Sequence, residues 1–177
     1  MNSVIVKKTE LKWYIAYTYP NYEKKVERLL IQNKINCFLP LQKVERQWSD
    51  RIKKIDVPLF PGYIFINSTS HEKYDALNIT GVLKFISFGG QPATLSDKDM
   101  ETIKQISLSN ISITKEHSFD KGDYVKILEG PFVGLTGYLF ERKGKSRFGF
   151  RLDAIDESIS IEICASMIEK INPPVFN

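Results

Sequence analysis

Leu59-Phe60-Pro61-Gly62-Tyr63-Ile64-Phe65 packs three aromatic rings and a Pro-Gly pair into the mouth of a β-rich run. Proline has no N–H to give a strand ladder and glycine lets backbone approach closely, so Pro61-Gly62 marks where a strand begins. Side chains alternate along a strand, which sends Tyr63, Phe65 and Asn67 to one face and Ile64 and Ile66 to the other. On these residues alone two readings stay open. Either both faces are covered and this is an interior strand, or some of the rings line a groove that receives a partner.

Upstream, Lys12-Trp13-Tyr14-Ile15-Ala16-Tyr17-Thr18 predicts an aromatic-rich strand that stops at Tyr19-Pro20-Asn21. Asn21 fits an N-cap, and Tyr22, Val26, Leu29 and Leu30 make the stripe of a helix packed on one face and ending near Asn36. Its other face carries Lys24, Lys25, Arg28, Gln32 and Lys34, either a solvated surface or a nucleic-acid face. Cys37-Phe38-Leu39-Pro40-Leu41 starts a second strand. From Lys43 to Val57 the chain is basic and short of core residues, with Lys43, Arg46, Arg51, Lys53 and Lys54 against Glu45, Asp50 and Asp56. A turn at Trp48-Ser49-Asp50 makes this a protruding β-hairpin. Cations meet phosphates and an indole stacks on a base, so the arm suits nucleic acid; a solvated arm is the other reading.

Downstream, Thr69 and Glu72 have capping-box spacing ahead of Tyr74 and Leu77, which predicts a short helix to Asn78. Gly81 ends it, Val82 to Phe88 is another strand, and Gly89-Gly90 closes that. Ser96 with Asp99 caps a third helix whose inner face is Met100, Ile103 and Ile106. Residues 10–108 therefore read as an α+β domain, a sheet flanked by helices. Residues 109–118 read as a short linker of Ser, Asn, Thr and Ile. Phe119-Asp120-Lys121-Gly122 opens a second module, 119–173, where Gly130, Pro131, Gly134, Gly137, Gly144 and Gly149 fall too close together for helices. About five short strands there make a small β-barrel.

Composition is that of an ordinary soluble globular protein, 42% hydrophobic and 26% charged over 177 residues. No apolar run nears the roughly 20 residues that cross a bilayer, and residues 1–8 lack a signal-peptide layout, so the expectation is a cytoplasmic monomer with no membrane partner. Cys37 and Cys164 stand far apart with no CxxC, which predicts neither a disulfide nor a zinc site and leaves both to be expected as small buried residues. Residues 1–110 hold 16 Lys+Arg against 11 Asp+Glu, and residues 111–177 hold 9 against 10. That asymmetry assigns any polyanion contact to the N-terminal part. His71 and His117 lack metal-ligand spacing, and no phosphate loop or nucleophile elbow is present. The chain reads as a binding protein rather than an enzyme, with no cofactor and no metal.

The two-module order resembles the NusG family of transcription elongation factors. Three motifs carry the likeness: Trp13-Tyr14 followed by Glu23-Lys24-Lys25-Val26, then Leu59 to Phe65, then a KOW motif from Gly122 to Gly137 containing Gly130-Pro131-Phe132-Val133-Gly134. The resemblance implies an NGN domain, a linker and a small β-barrel KOW domain. It implies docking on the clamp helices of the largest RNA polymerase subunit through Tyr17, Phe60, Tyr63, Phe65, Phe85 and Phe88, with suppression of pausing or termination. Upstream or non-template DNA would lie near Lys24, Lys25, Arg28, Gln32, Lys43, Arg46, Trp48, Arg51, Lys53 and Lys54. Trp13 is expected in the core. The runs Ile35 to Pro40, Pro58 to Pro61 and Phe85 to Gly89 are similar to the RfaH and UpxY type of antiterminator, which implies action at selected operons such as surface-polysaccharide clusters. Leu29, Gln32, Asn33 and Thr80 depart from RfaH where it reads DNA, so a different element, or none, would be read. In the family the KOW domain recruits ribosomal protein S10 or Rho, and Phe132 is the matching position here. Glycines 130 to 149 with Ile159, Ile161 and Ile163 predict a permanent barrel with no refolding into helices. The competing reading, a ribosome-associated KOW protein that binds RNA, requires a strongly basic barrel.

Overall fold

The computed structural model describes residues 10–109, 111, 113–116 and 122–173. The chain runs β1 (Lys12–Thr18), α1 (Glu23–Gln32), β2 (Cys37–Phe38), β3 (Leu41–Gln47), β4 (Ile52–Pro58) and β5 (Tyr63–Ser68). A 3-10 helix (Glu72–Asn78), β6 (Val82–Phe85), β7 (Ser87–Phe88), β8 (Gln91–Pro92), β9 (Thr94–Leu95) and α2 (Asp97–Leu108) follow. Last come β10 (Ile113–Glu116), β11 (Tyr124–Ile127), β12 (Thr136–Arg142), β13 (Lys145–Leu152), β14 (Glu157–Glu162) and β15 (Ile168–Lys170). This is a mixed α+β chain of two compact units, Met1–Pro40 with Pro58–Met100 and Leu41–Val57 with Glu101–Asn177.

In the first unit β1 is central, paired antiparallel to β5 on one side and β6 on the other, with β2 beyond β5 and β9 on the Trp13-Tyr14 end. Its four residues Trp13 to Ala16 are all buried, as a strand covered on both faces requires. β5 repeats the pattern at Ile64, Phe65 and Ile66. Val26 and Leu30 of α1 are fully buried. Each large apolar side chain sealed in this way contributes about 1.5–3 kcal/mol.

Several local expectations are corrected. Asn21 does not cap α1; it takes φ 63°, a left-handed geometry that asparagine tolerates, and Tyr22 precedes the helix without a side-chain bond. The helix stops at Gln32, short of Asn36. The strand from Cys37 breaks after Phe38. Half of the expected capping box is present: Glu72 N–H donates to Thr69 Oγ1 at 3.1 Å, but the Thr69 hydroxyl donates to Glu72 Oε2 at 2.9 Å in place of the backbone bond, and His71 stands at the N-cap. The helix that follows has 3-10 winding, and this turns Lys73 and Ala76 inward and leaves Tyr74 and Leu77 exposed. The strand from Val82 divides, since β7 pairs only with β8. Ser96 and Asp99 make the same reciprocal bonds at 2.7 and 3.1 Å, and Met100, Ile103 and Ile106 are buried as expected.

In the second unit β3 and β4 form a separate two-stranded hairpin. Trp48 N–H donates to the Arg51 carbonyl at 2.8 Å, closing its tip. At its base the Ser107 hydroxyl accepts the Leu41 N–H and donates to the Leu41 carbonyl, both at 2.9 Å. The remaining strands order β10-β14-β13-β12-β11-β15, all antiparallel, consistent with the small barrel expected, although among the described residues the hydrogen-bonded path does not close and β10 and β15 are its ends. Val125, Ile127, Phe148, Phe150, Ile159 and Ile161 are buried in it. A Cβ on Gly137 would stand 2.5 Å from the Gly149 carbonyl, so only glycine lets those strands approach. Ile113–Glu116 was expected in the linker and is instead a strand, paired along its full length with β14. Thr114 and Glu116 share one face and Ile113 and Lys115 the other, so the stretch carries no apolar alternation by which a strand is recognised. His117 and the module opening at Phe119-Asp120-Lys121 lie outside the described residues.

Candidate functional site

The turn before β5 is built by three bonds. Tyr63 N–H donates to the Phe60 carbonyl at 3.2 Å across Pro61 and Gly62, with Gly62 at φ 85°. Proline second and a left-handed glycine third is the composition of a type II turn. Thr18 N–H donates to the Gly62 carbonyl at 2.8 Å. Gly62 N–H donates to Glu23 Oε1 at 2.7 Å, which ties the turn to the first residue of α1. Glu23 is buried, and the sequence reading used it only as part of a motif. A carboxylate at the head of a helix beside a Pro-Gly turn was the available signal.

This clamp positions an aromatic pair. Tyr17 and Tyr63 stand opposite each other on β1 and β5, with ring centroids 5.3 Å apart at 56°. A Cβ on Gly62 would lie 2.8 Å from Tyr17 Cε2, so the ring lies over bare backbone. Both tyrosines are half-buried and keep part of each ring at the surface. Phe88 is 60% exposed on the β7–β8 hairpin, turned by Gly89 and Gly90. Leu83 and Lys84 on β6 are exposed as well, Lys84 opposite Tyr17.

The other three predicted groove rings are corrected. Phe60 and Phe65 are 1% and 0% exposed and pack edge to face at 6.2 Å. Phe85 is buried with its ring against Tyr14 at 5.8 Å. Each is a core residue, because β5 is covered on both faces and β6 carries Val82 and Phe85 inward. What remains accessible is Tyr17, Tyr63 and Phe88. Phe132, the expected partner residue of the second module, is also buried, at 3% exposure, while its neighbour Val133 is 57% exposed. Phe132 lines the floor of a cavity of about 340 Å³ with Ile127, Pro131, Ile161 and Met167, rimmed by Glu129 and Cys164.

All the predicted nucleic-acid residues are exposed. Lys24, Lys25, Arg28 and Gln32 are on α1 in the first unit, with the Lys25 ammonium 4.9 Å from the Tyr22 ring. Lys43, Arg46, Trp48, Arg51, Lys53 and Lys54 are on the β3–β4 hairpin in the second. Lys53 lies 5.5 Å from the indole of Trp48, itself 51% exposed, and Lys54 pairs with Glu45 at 3.5 Å. Beside the C-terminal end of α1, Leu29, Asn33, Ile35, Asp75, Asn78, Ile79 and Thr80 enclose a groove of about 500 Å³. Asn33 Nδ2 donates to the Leu29 carbonyl at 2.8 Å. On α1, Glu27 has its pKa raised by burial, against the pull of the Leu39 N–H and Lys24. Burial and the nearby Glu27 push the Cys37 thiol up to about 11.

Among the described residues no group of His, Cys, Asp and Glu is placed to hold a metal ion, and no helix is long and apolar enough to cross a membrane.

Residues 11–104 match a family model described as "Transcription termination factor nusG". The chain is 27% identical over 183 residues to the "Transcription termination/antitermination protein NusG" of Borreliella burgdorferi, covering 90% of this chain and 98% of that protein. The protein of the same name from Pseudomonas aeruginosa is 25% identical over 179 residues with the same coverage. A solved structure described as "Domain interaction in Thermotoga maritima NusG" superposes with a TM-score of 0.55 at 26% identity, over 92% of this chain and 98% of that one.

Proposed function

The chain belongs to the NusG family, and on that premise we propose that it is a transcription termination/antitermination factor that binds bacterial RNA polymerase through Tyr17, Tyr63 and Phe88. The observation that carries this reading is the family match over residues 11–104, a span that includes all three rings. Partly exposed aromatics on a rigid sheet are efficient anchors, since they offer large apolar area with few rotamers to freeze. The partner is the pair of clamp helices on the largest polymerase subunit. Binding the closed, elongating clamp more tightly than the paused one shifts the polymerase toward elongation.

The test uses purified core RNA polymerase and the full chain. Phe88→Ala and Tyr63→Ala are each expected to weaken binding about tenfold, as loss of an interface anchor does. Phe88 is exposed, so its variant tests the surface without disturbing the core. Unchanged affinity in both variants rejects this surface.

We further propose that the factor acts at selected operons, with the groove of Asn33, Asp75, Asn78 and Thr80 offering amide, carboxylate and hydroxyl groups to an exposed base. In transcription assays, pause escape is then faster only on certain leader templates, and Thr80→Ala with Asn33→Ala removes the preference. Equal acceleration on every template would mark a generalist. The ribosomal reading asks for a strongly basic barrel, and in the β10–β15 sheet Lys115, Lys145, Arg151 and Lys170 are each paired to a carboxylate within 3.0 Å. Cations already engaged in this way have less to offer a phosphate.

A further inference from the structure

β10 is held to the second unit by a charge rather than by apolar side chains. Ile113 and Thr114 are half-buried, Lys115 is exposed, and only Glu116 is sealed, with its side chain at 0% exposure. The Glu116 carboxylate takes a hydrogen bond on Oε1 alone, while Oε2 is buried beside a cation and accepts none among the described residues. Oε1 accepts the Ser160 hydroxyl at 2.7 Å and lies 3.7 Å from Arg147 Nε, while Oε2 meets Arg142 Nη1. Arg147 is itself held across the strands. Its Nε donates to Ser160 Oγ at 2.8 Å, and its Nη2 to Thr114 Oγ1 at 2.8 Å and to the Ser160 carbonyl at 3.1 Å. Thr114 faces Ser160 and Glu116 faces Ser158, so hydroxyl and carboxylate fall on one side of the ladder.

We propose that the β14 edge, with its socket of Arg147, Arg142 and Ser160, is a binding site for an extended acidic segment of a partner protein, and that β10 is its occupant in cis. The partner adds a strand to β14 and places a carboxylate in the socket two residues after a hydroxyl, as Thr114 and Glu116 do. Three features point to an exchangeable occupant. Among the described residues β10 pairs on one side only, and it spans four residues, so little ladder is lost when it leaves. A buried ion pair gives little net stability over well-packed apolar groups, so a strand meant only to stay would be better served by hydrophobic anchors. Arg147 is 12% exposed, and emptying the socket leaves a nearly buried cation without its counterion, so an acidic replacement is favoured over an open edge. The proposal rests on the second unit alone and is independent of polymerase binding.

The probe is a fluorescent peptide of residues 111–118, Ile-Ser-Ile-Thr-Lys-Glu-His-Ser, titrated against full-length chains by anisotropy. Glu116→Lys puts an ammonium against Arg147 and expels β10. This variant is expected to bind the peptide at least about tenfold more tightly than the native chain, whose own strand competes at high effective concentration. The same peptide with Gln in place of its Glu is expected to bind about tenfold more weakly, the loss of a charge-assisted contact. Absence of binding by the folded variant, or equal binding of the two peptides, overturns the proposal. Hydrogen exchange on the native chain decides independently should the variant fail to fold. Amides of β10 must exchange faster than those of β12 and β13, and exchange of all three in one global step overturns it.

Discussion

Glu27 lies half-buried on α1, and burial holds its carboxyl above the ordinary value of 4.5 despite the Leu39 N–H and Lys24. The folded chain therefore keeps that proton more tightly than the unfolded chain. Between 4.5 and the folded value the native state binds more protons, so stability falls as pH rises through that window. Glu27→Gln retains an oxygen for the Leu39 N–H and removes the charge. Urea unfolding across a pH series is expected to show the variant matching the native chain near pH 4 and exceeding it at pH 7. Parallel curves would mean the carboxyl is not held high. Cys37, beside it, stays a thiol at neutral pH and is half-buried, whereas Cys164, equally expected as a small buried residue, is exposed.

At the scale of the element, α1 shows how much of a boundary is written in residue types. Its last turn closes with Lys34 N–H to the Ile31 carbonyl at 3.0 Å and Ile35 N–H to the Leu30 carbonyl at 2.9 Å. These are the two bonds of a Schellman ending, which puts Lys34 at φ 60°, where glycine is the usual choice. No glycine marked the stop, so the reading ran on to Asn36. The turn at Pro61-Gly62 was legible for the opposite reason, because its residues are those its dihedrals demand. The bonds of Thr69 with Glu72 and of Ser96 with Asp99 were legible too, being local. What the sequence could not yield was which rings are covered. Phe60, Phe65 and Phe85 look like Tyr17, Tyr63 and Phe88 as residue types, and only the second strand on each flank decides their exposure. Lys34→Gly relieves the left-handed strain and is expected to stabilise the chain by up to about 1 kcal/mol. On a chain of this size that raises the thermal midpoint by about 2–4 °C. An unchanged or lower midpoint would show that glycine's added freedom in the unfolded chain outweighs the relief.

For the whole molecule, a net charge of +4 is too small to draw nucleic acid by its total, so its distribution decides. The excess belongs to residues 1–110, and in the second unit Lys115, Lys145 and Arg151 of the β10–β15 sheet are tied in ion pairs while the β3–β4 hairpin presents Lys43, Arg46 and Lys53 at the surface. Two parts of a nucleic-acid contact can then be separated. Phosphate contacts set the salt dependence, about 0.7 in the slope of log K against log salt for each contact to a single strand. Stacking sets affinity without that dependence, at about 1–3 kcal/mol per base. With single-stranded DNA, Lys43→Gln combined with Lys53→Gln is expected to reduce the slope by about 1.4, whereas Trp48→Ala weakens binding at every salt concentration and leaves the slope as it was. Lys145→Gln, removing a cation already bound to Glu162 at 2.8 Å, is the control expected to change neither. Should Lys145→Gln shift the slope as much as the hairpin pair, binding would follow the summed field of the chain. The hairpin would then be a solvated arm, because a local contact answers only to the charges that form it.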